Sequence, residues 1–210
     1  MLKKIFTNDT AFRTATLFCV IANIALAFLI FFPAMEDYTS ISYSLQCCIE
    51  AVYAFFLYQS YIHHDKNVMK GLLGSFVTIN LFFSVAYLDL TLDIIDLVIS
   101  IIVIILSAIL TANHFLINWY HQASPKKVKL NQAIAMILIF INGISWFILP
   151  TMTYQYASNM ILDIFTYSGK MLMIIYIESK LDEFRLDREA AGWTEESGYP
   201  ENYVHQKDRH

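Results

Sequence analysis

The chain has 210 residues, of which 57% are hydrophobic and 15% charged, and its formal net charge is −4. Soluble domains sit near about 45–50% apolar and about 25% charged, so the composition excludes an ordinary water-soluble domain. Six Gly and four Pro exclude collagen-like and Pro-rich disordered chains, and there is no basic excess to serve as a footprint for nucleic acid.

A bilayer-spanning helix needs about 20 mostly apolar residues. Six stretches meet that length: 13–33, 41–62, 69–89, 93–119, 131–152 and 156–178. Short segments with break signals separate them, among them Pro33 to Asp37, His63 to Asn67 and Ser124 to Lys127. The expected fold is therefore all-α, a polytopic membrane bundle of six transmembrane helices over residues 1–178, with a cytoplasmic tail over 179–210.

The basic residues give the orientation. With the N-terminus inside, Lys3, Lys4, Arg13, Lys66, Lys70, Lys126, Lys127, Lys129, Lys180, Arg185, Arg188, Lys207 and Arg209 all fall on the cytoplasmic side, thirteen of the 14 Lys and Arg. The outer loops hold none, which is the positive-inside asymmetry of a chain with both termini cytoplasmic. The expected location is a cell membrane, of the bacterial inner-membrane type. The first span is longer than the 7–15-residue apolar core of a signal peptide and no A-x-A-like site follows it, so it reads as an uncleaved helix. Cys19, Cys47 and Cys48 all lie within spans and read as packing residues rather than a disulfide framework.

At membrane depth the informative residues are the polar ones. In the first span Thr16, Cys19 and Asn23 share a face and read as an interhelical seam. In the second, Tyr43, Gln46, Cys47, Glu50 and Tyr53 share one. The third offers Gly71, Gly74, Ser75 and Thr78 as a small-residue face for close packing, with Asn80 and Ser84 unassigned. In the fourth, Asp93, Asp96, Ser100, Ser107, Thr111, His114 and Asn118 fall within an arc of roughly 60° on a helical wheel, interrupted by Ile104. That stripe reads either as a buried seam or as one wall of a hydrated path. Asn142-Gly143 and Trp146 of the fifth span read as a packing notch.

The last span carries Lys170, the only basic residue at this depth. Tyr156, Asn159, Asp163, Thr166, Tyr167 and Lys170 share a face. A helical side chain leans toward its N-terminus, so Lys170 is expected to reach toward Thr166 and Asp163, the latter about two turns or about 10.5 Å away. Glu50 lies about nine residues and Asp163 about eight from the outer boundary, so the two match in depth. Glu50, Asp163 and Lys170, with Asp96 higher up, are expected to converge on a cavity open to the exterior. Beyond Glu178 the tail should continue as a helix to Ala190-Ala191-Gly192 and then lose order.

Walker A, GxSxG, HExxH and GxGxxG motifs are absent, no metal-ligand spacing occurs, and the six His do not form the transmembrane pairs of a bis-histidine haem protein. No cofactor is expected. Six spans allow a 3+3 inverted repeat, but the two halves show no internal similarity. The expected function is a transporter or channel for a small cationic or proton-coupled solute, with a path lined by Glu50, Asp96, Ser100, Ser107, His114, Asp163, Tyr167 and Lys170. The alternative is a non-transporting accessory or immunity-type protein that docks through a helix face and the tail. A membrane-embedded enzyme has no motif to support it. The expected partners are the bilayer, a small-molecule or ionic solute, and a second copy or another membrane protein.

Overall fold

The computed structural model describes residues 9–28, 41–86, 88, 94–120, 125–148 and 157–190. Within them the chain is all-helical, with six helices: α1 (Asp9–Phe28), α2 (Ile41–Ile62), α3 (Lys66–Ala86), α4 (Ile94–Asn118), α5 (Pro125–Ile148) and α6 (Ala157–Ala190). Four contain stretches long and apolar enough to cross a membrane: Thr10–Phe28, Lys66–Ala86, Ile94–Asn118 and Lys126–Phe147. In α2 and α6 the polar residues Gln46, Glu50, Asp163 and Lys170 dilute the apolar run. The last stretch of the tail, 191–210, and the segments 29–40, 89–93 and 149–156 lie outside the described residues.

Each helix packs on the next in sequence, and α6 packs back on α1 to close the ring. α6 also reaches across to α3 and, more lightly, to α2. It is therefore the most enclosed helix, with Met171, Met173, Ile174, Ile175 and Ile177 all buried. The core around it includes Phe12, Leu57, Tyr61, Met69, Leu73, Phe76, Leu110 and Leu138. Phe12 stacks on Tyr61 at 4.0 Å between ring centroids and meets Tyr176 edge-on at 5.8 Å, tying α1, α2 and α6 together.

The outward faces are apolar. On α4, Ile94, Ile95, Val98, Ile101, Ile102, Ile105 and Ile109 are exposed in a helical period, and Asp96, Ser107, Thr111, His114 and Asn118 are buried on the other side. An apolar outside around a polar inside is the arrangement a lipid solvent requires, and in water such a patch would be an aggregation surface.

Two local features fix the packing. Gly169 of α6 lies against α1 so closely that a Cβ there would sit 2.9 Å from the Cys19 Cβ and 3.0 Å from the Ala15 carbonyl oxygen. Of the small-residue face on α3, Gly74 faces His114 and Phe115 of α4, and Gly71 meets nothing within 4 Å. The α2–α3 link is a tight reversal. His64 adopts a positive φ of 54°, the Asp65 amide donates to the Ser60 carbonyl at 3.1 Å, and the His64 amide donates to that of Tyr61 at 3.3 Å. These are the two bonds of a Schellman helix end, with His in place of the usual Gly. Asp65 then caps α3 through its carboxylate, which accepts the Val68 amide at 3.1 Å.

Candidate functional site

A cavity of about 150 Å³ lies within the bundle, lined by Asn23 of α1, Gln46, Cys47 and Glu50 of α2, Asn80, Phe83 and Ser84 of α3, and Asp163, Thr166, Tyr167 and Lys170 of α6. These residues lie toward the C-terminal ends of α1 and α3 and the N-terminal ends of α2 and α6. The cavity thus belongs to one half of the bundle, away from the α2–α3 reversal.

The Lys170 ammonium donates to Glu50 Oε1 at 2.8 Å, with side-chain exposures of 6% and 3%. It also stands 5.1 Å from the centre of the Tyr167 ring. Gln46, one turn before Glu50, donates to the same Oε1 at 3.0 Å. The expected reach of Lys170 toward Asp163 along its own helix is corrected here. The cross-bundle approach of α2 brings Glu50 into direct contact, whereas Asp163 is about two turns away on the same helix.

Asp163 takes its donors from α5. Trp146 Nε1 donates to Asp163 Oδ2 at 2.9 Å and Asn142 Nδ2 donates to the same oxygen at 3.1 Å. The Asn142-Gly143 and Trp146 segment is thus a carboxylate-binding edge as well as a packing surface. Around the cavity, Asn23 Oδ1, Gln46 Oε1, Thr166 Oγ1 and Tyr167 OH are buried and meet no hydrogen-bond partner among the described residues. Two of these can only accept hydrogen bonds, and the two hydroxyls can accept or donate. With Glu50 and Asp163 against Lys170, the lining carries one formal negative charge and an excess of acceptors.

Of the residues singled out in the sequence, Glu50, Asp163, Tyr167 and Lys170 line this cavity. Asp96, Ser100, Ser107 and His114 of α4 do not. Asp96 is buried in the first turn of α4 and Ser100 is half-buried further along it. Ser107 accepts from Asn80 Nδ2 at 3.3 Å, so α4 touches the cavity wall through an α3 residue. Thr111 lies 2.8 Å from the Ser107 carbonyl and 3.2 Å from that of Val77.

His114 belongs to a second polar cluster in the other half of the bundle. Its Nδ1 lies 2.7 Å from Glu178 Oε1, and the two side chains are 0% and 1% exposed. Asn131 of α5 donates to the same oxygen at 3.4 Å. In the sequence Glu178 marks only the boundary of the polar tail, where the composition changes. Asn80, Asn142 and Trp146 likewise carry no sequence signal that places them at a site. Each has a donor at membrane depth, but nothing local in the sequence indicates its partner.

Among the described residues no group of three or more His, Cys, Asp or Glu could hold a metal ion. No protein family model, curated protein or solved structure matches this chain.

Proposed function

We propose that the protein is a small six-span membrane transporter or channel, with both termini in the cytoplasm and a cavity that opens outward for a small cation or for protons coupled to a solute. The four apolar helices support membrane insertion directly. For α2, exposed Leu45, Val52, Phe55, Phe56 and Ile62 give a lipid-compatible outer face. For α6, the low apolar content goes with enclosure by protein on several sides. The clustering of Lys and Arg on one side of the predicted spans supports the orientation.

The observation that carries the reading is the cavity's chemistry. It is acceptor-rich, has one formal negative charge, and holds polar atoms that meet no hydrogen-bond partner among the described residues. Such a wall favours a guest that is positively charged and rich in hydrogen-bond donors. Its size points the same way. About 150 Å³ is well below the roughly 300–1,000 Å³ of drug-sized ligand pockets and suits a hydrated ion, an ammonium-type cation or a few waters.

The test is uptake of methylammonium into proteoliposomes, with internal pH followed by a trapped dye. Uptake or a pH change is expected with the native chain and should be lost in Asp163→Asn while the protein stays in the membrane. Normal transport by Asp163→Asn would overturn the site. No transport by the native chain under either readout would favour the accessory-protein reading.

A further inference from the structure

We propose that the His114–Glu178 pair is a proton-binding site, the inner counterpart of the Glu50–Lys170 cavity and joined to it by the polar seam between α3 and α4. Its place in a transport path rests on the reading above, but its protonation does not.

The case begins with what each imidazole nitrogen faces. Nδ1 meets Glu178 Oε1 at 2.7 Å and Nε2 meets the Lys70 carbonyl oxygen at 3.4 Å. With Glu178 ionised, both neighbours are acceptors and the ring meets both as an imidazolium. With Glu178 protonated, its hydroxyl donates to Nδ1 and a neutral ring donates from Nε2. In either form the pair satisfies both contacts only when it holds the additional proton. Asn118 Nδ2 lies 3.2 Å from Nδ1 and the same distance from the His114 carbonyl, and with two hydrogens it keeps the carbonyl as an acceptor whichever proton state the ring adopts. The short contact holds the Nδ1 proton against the carboxylate, and the long one leaves the Nε2 proton as the exchangeable one. Loss of that proton leaves a neutral ring still donating from Nδ1, and no other bond in the site has to break.

The surroundings suit a charge that comes and goes. Glu178 faces the ring from α6, and its Oε2 is buried with no hydrogen-bond partner among the described residues. From α3 the Lys70 ammonium donates to the Asn118 carbonyl at 3.3 Å, close by on α4. From α5 comes the neutral Asn131, with Lys126 and Lys129 exposed at that helix's start and Lys127 half-buried. Gly74 of α3 gives the ring its space on the Nε2 side, since a Cβ there would stand 3.4 Å from Nε2.

The seam supplies the connection. Asn80 lines the outer cavity and donates to Ser107, Thr111 follows one turn on, and His114 lies three residues further. On α6, by contrast, the eight-residue step from Lys170 to Glu178, about 12 Å, is filled by buried Met171, Met173, Ile174, Ile175 and Ile177. The two polar stations are thus separated by an apolar layer on one helix, while on two others hydroxyl and amide groups lie between them, hydrogen-bonded from Asn80 as far as Thr111.

The experiment is ¹⁵N NMR of the full-length, histidine-labelled protein in lipid nanodiscs, titrated across the range in which histidines exchange protons. The His114 signals are assigned by their loss in His114→Gln. The expected result is a reversible single-proton step at the His114–Glu178 pair, read at the His114 ring, whose midpoint moves by about tenfold or more in proton concentration in Glu178→Gln because the two groups share the proton. A His114 ring that keeps one protonation state throughout would overturn the proposal, as would a titration unchanged by Glu178→Gln. A native chain that titrates as expected but moves no solute or protons in proteoliposomes would leave the site standing and remove the transport reading.

Discussion

Lys170 on α6 and Glu50 on α2 are 120 positions apart in sequence and meet at 2.8 Å in the interior of the bundle. Each is nearly excluded from solvent, so the two charges depend on one another. Removing one partner of a buried pair costs about 3–5 kcal/mol because an uncompensated charge remains, whereas replacing both with neutral groups of similar volume is often close to neutral. Glu50→Gln and Lys170→Met are each expected to lower the unfolding midpoint in mild detergent sharply, and the double variant to recover most of the loss. A loss in the double variant equal to the sum of the two single losses would show that the two side chains do not share their energetics. Under the transport reading the double variant remains inactive, which separates the pair's stabilising role from its part in solute handling.

Asp163 depends on α5 in a similar but weaker way. It is only half-buried, so water offsets part of any lost bond. Trp146→Phe keeps an aromatic ring, though a smaller one, and removes the indole donor to Oδ2. The lost hydrogen bond is expected to cost about 1 kcal/mol of stability, on top of a packing loss from the smaller ring. In an Asp163→Ala background only the packing loss should remain, so the same substitution should cost about 1 kcal/mol less. An equal cost in both backgrounds would assign Trp146 to packing alone.

The contrast between these two carboxylates shows what the sequence can convey. Periodicity finds a helix whose two sides meet different solvents, which is why the buried face of α4, from Asp96 to Asn118, was legible as a single stripe. Depth is legible too, since counting from the span boundary places Glu50 and Asp163 at one level. Partnership across helices is not, because it depends on ring order. Asn142 and Trp146 reach Asp163 because α5 flanks α6, and His114 reaches Glu178 because α4 and α6 both approach α5 at that level. Glu178 illustrates a second loss of information. It sits at the last position of the sixth span, where the composition turns polar, and a boundary read from composition gives no sign that the residue there is buried and paired.

The α2–α3 reversal permits a test away from the polar clusters. His64 occupies a left-handed conformation that costs an L-residue roughly 1–2 kcal/mol and a glycine almost nothing. Against this, the His64 ring makes an edge contact with Phe184 at 6.1 Å that glycine would lose. His64→Gly is therefore expected to be neutral or to stabilise by up to about 1 kcal/mol. Asp65→Ala removes the cap on the Val68 amide and should destabilise by about 1 kcal/mol. The pair of opposite signs, read from unfolding midpoints, checks the local geometry. A clear loss in His64→Gly would mean that the Phe184 contact outweighs the backbone strain.

Gly169 and Gly71 give a similar opposition within the helices. A methyl at position 169 would meet the Cys19 Cβ at 2.9 Å, the Ala15 carbonyl oxygen at 3.0 Å and the Cys19 Cα at 3.2 Å. None of these is the free end of a flexible side chain, so α1 and α6 would have to move apart, at a cost of about 1–3 kcal/mol. At position 71 nothing lies within 4 Å, and alanine there should add up to about 1 kcal/mol of helix propensity. The position matters for the site as well as for stability, because Gly169 immediately precedes Lys170 and Cys19 lies one turn from the cavity-lining Asn23. Displacing α1 from α6 at this level should therefore also loosen the Lys170–Glu50 contact, so Gly169→Ala is expected to reduce the coupling energy measured by the Glu50/Lys170 double-variant cycle. An unchanged coupling energy in a destabilised Gly169→Ala protein would show that the ion pair is held by α2 and α6 alone.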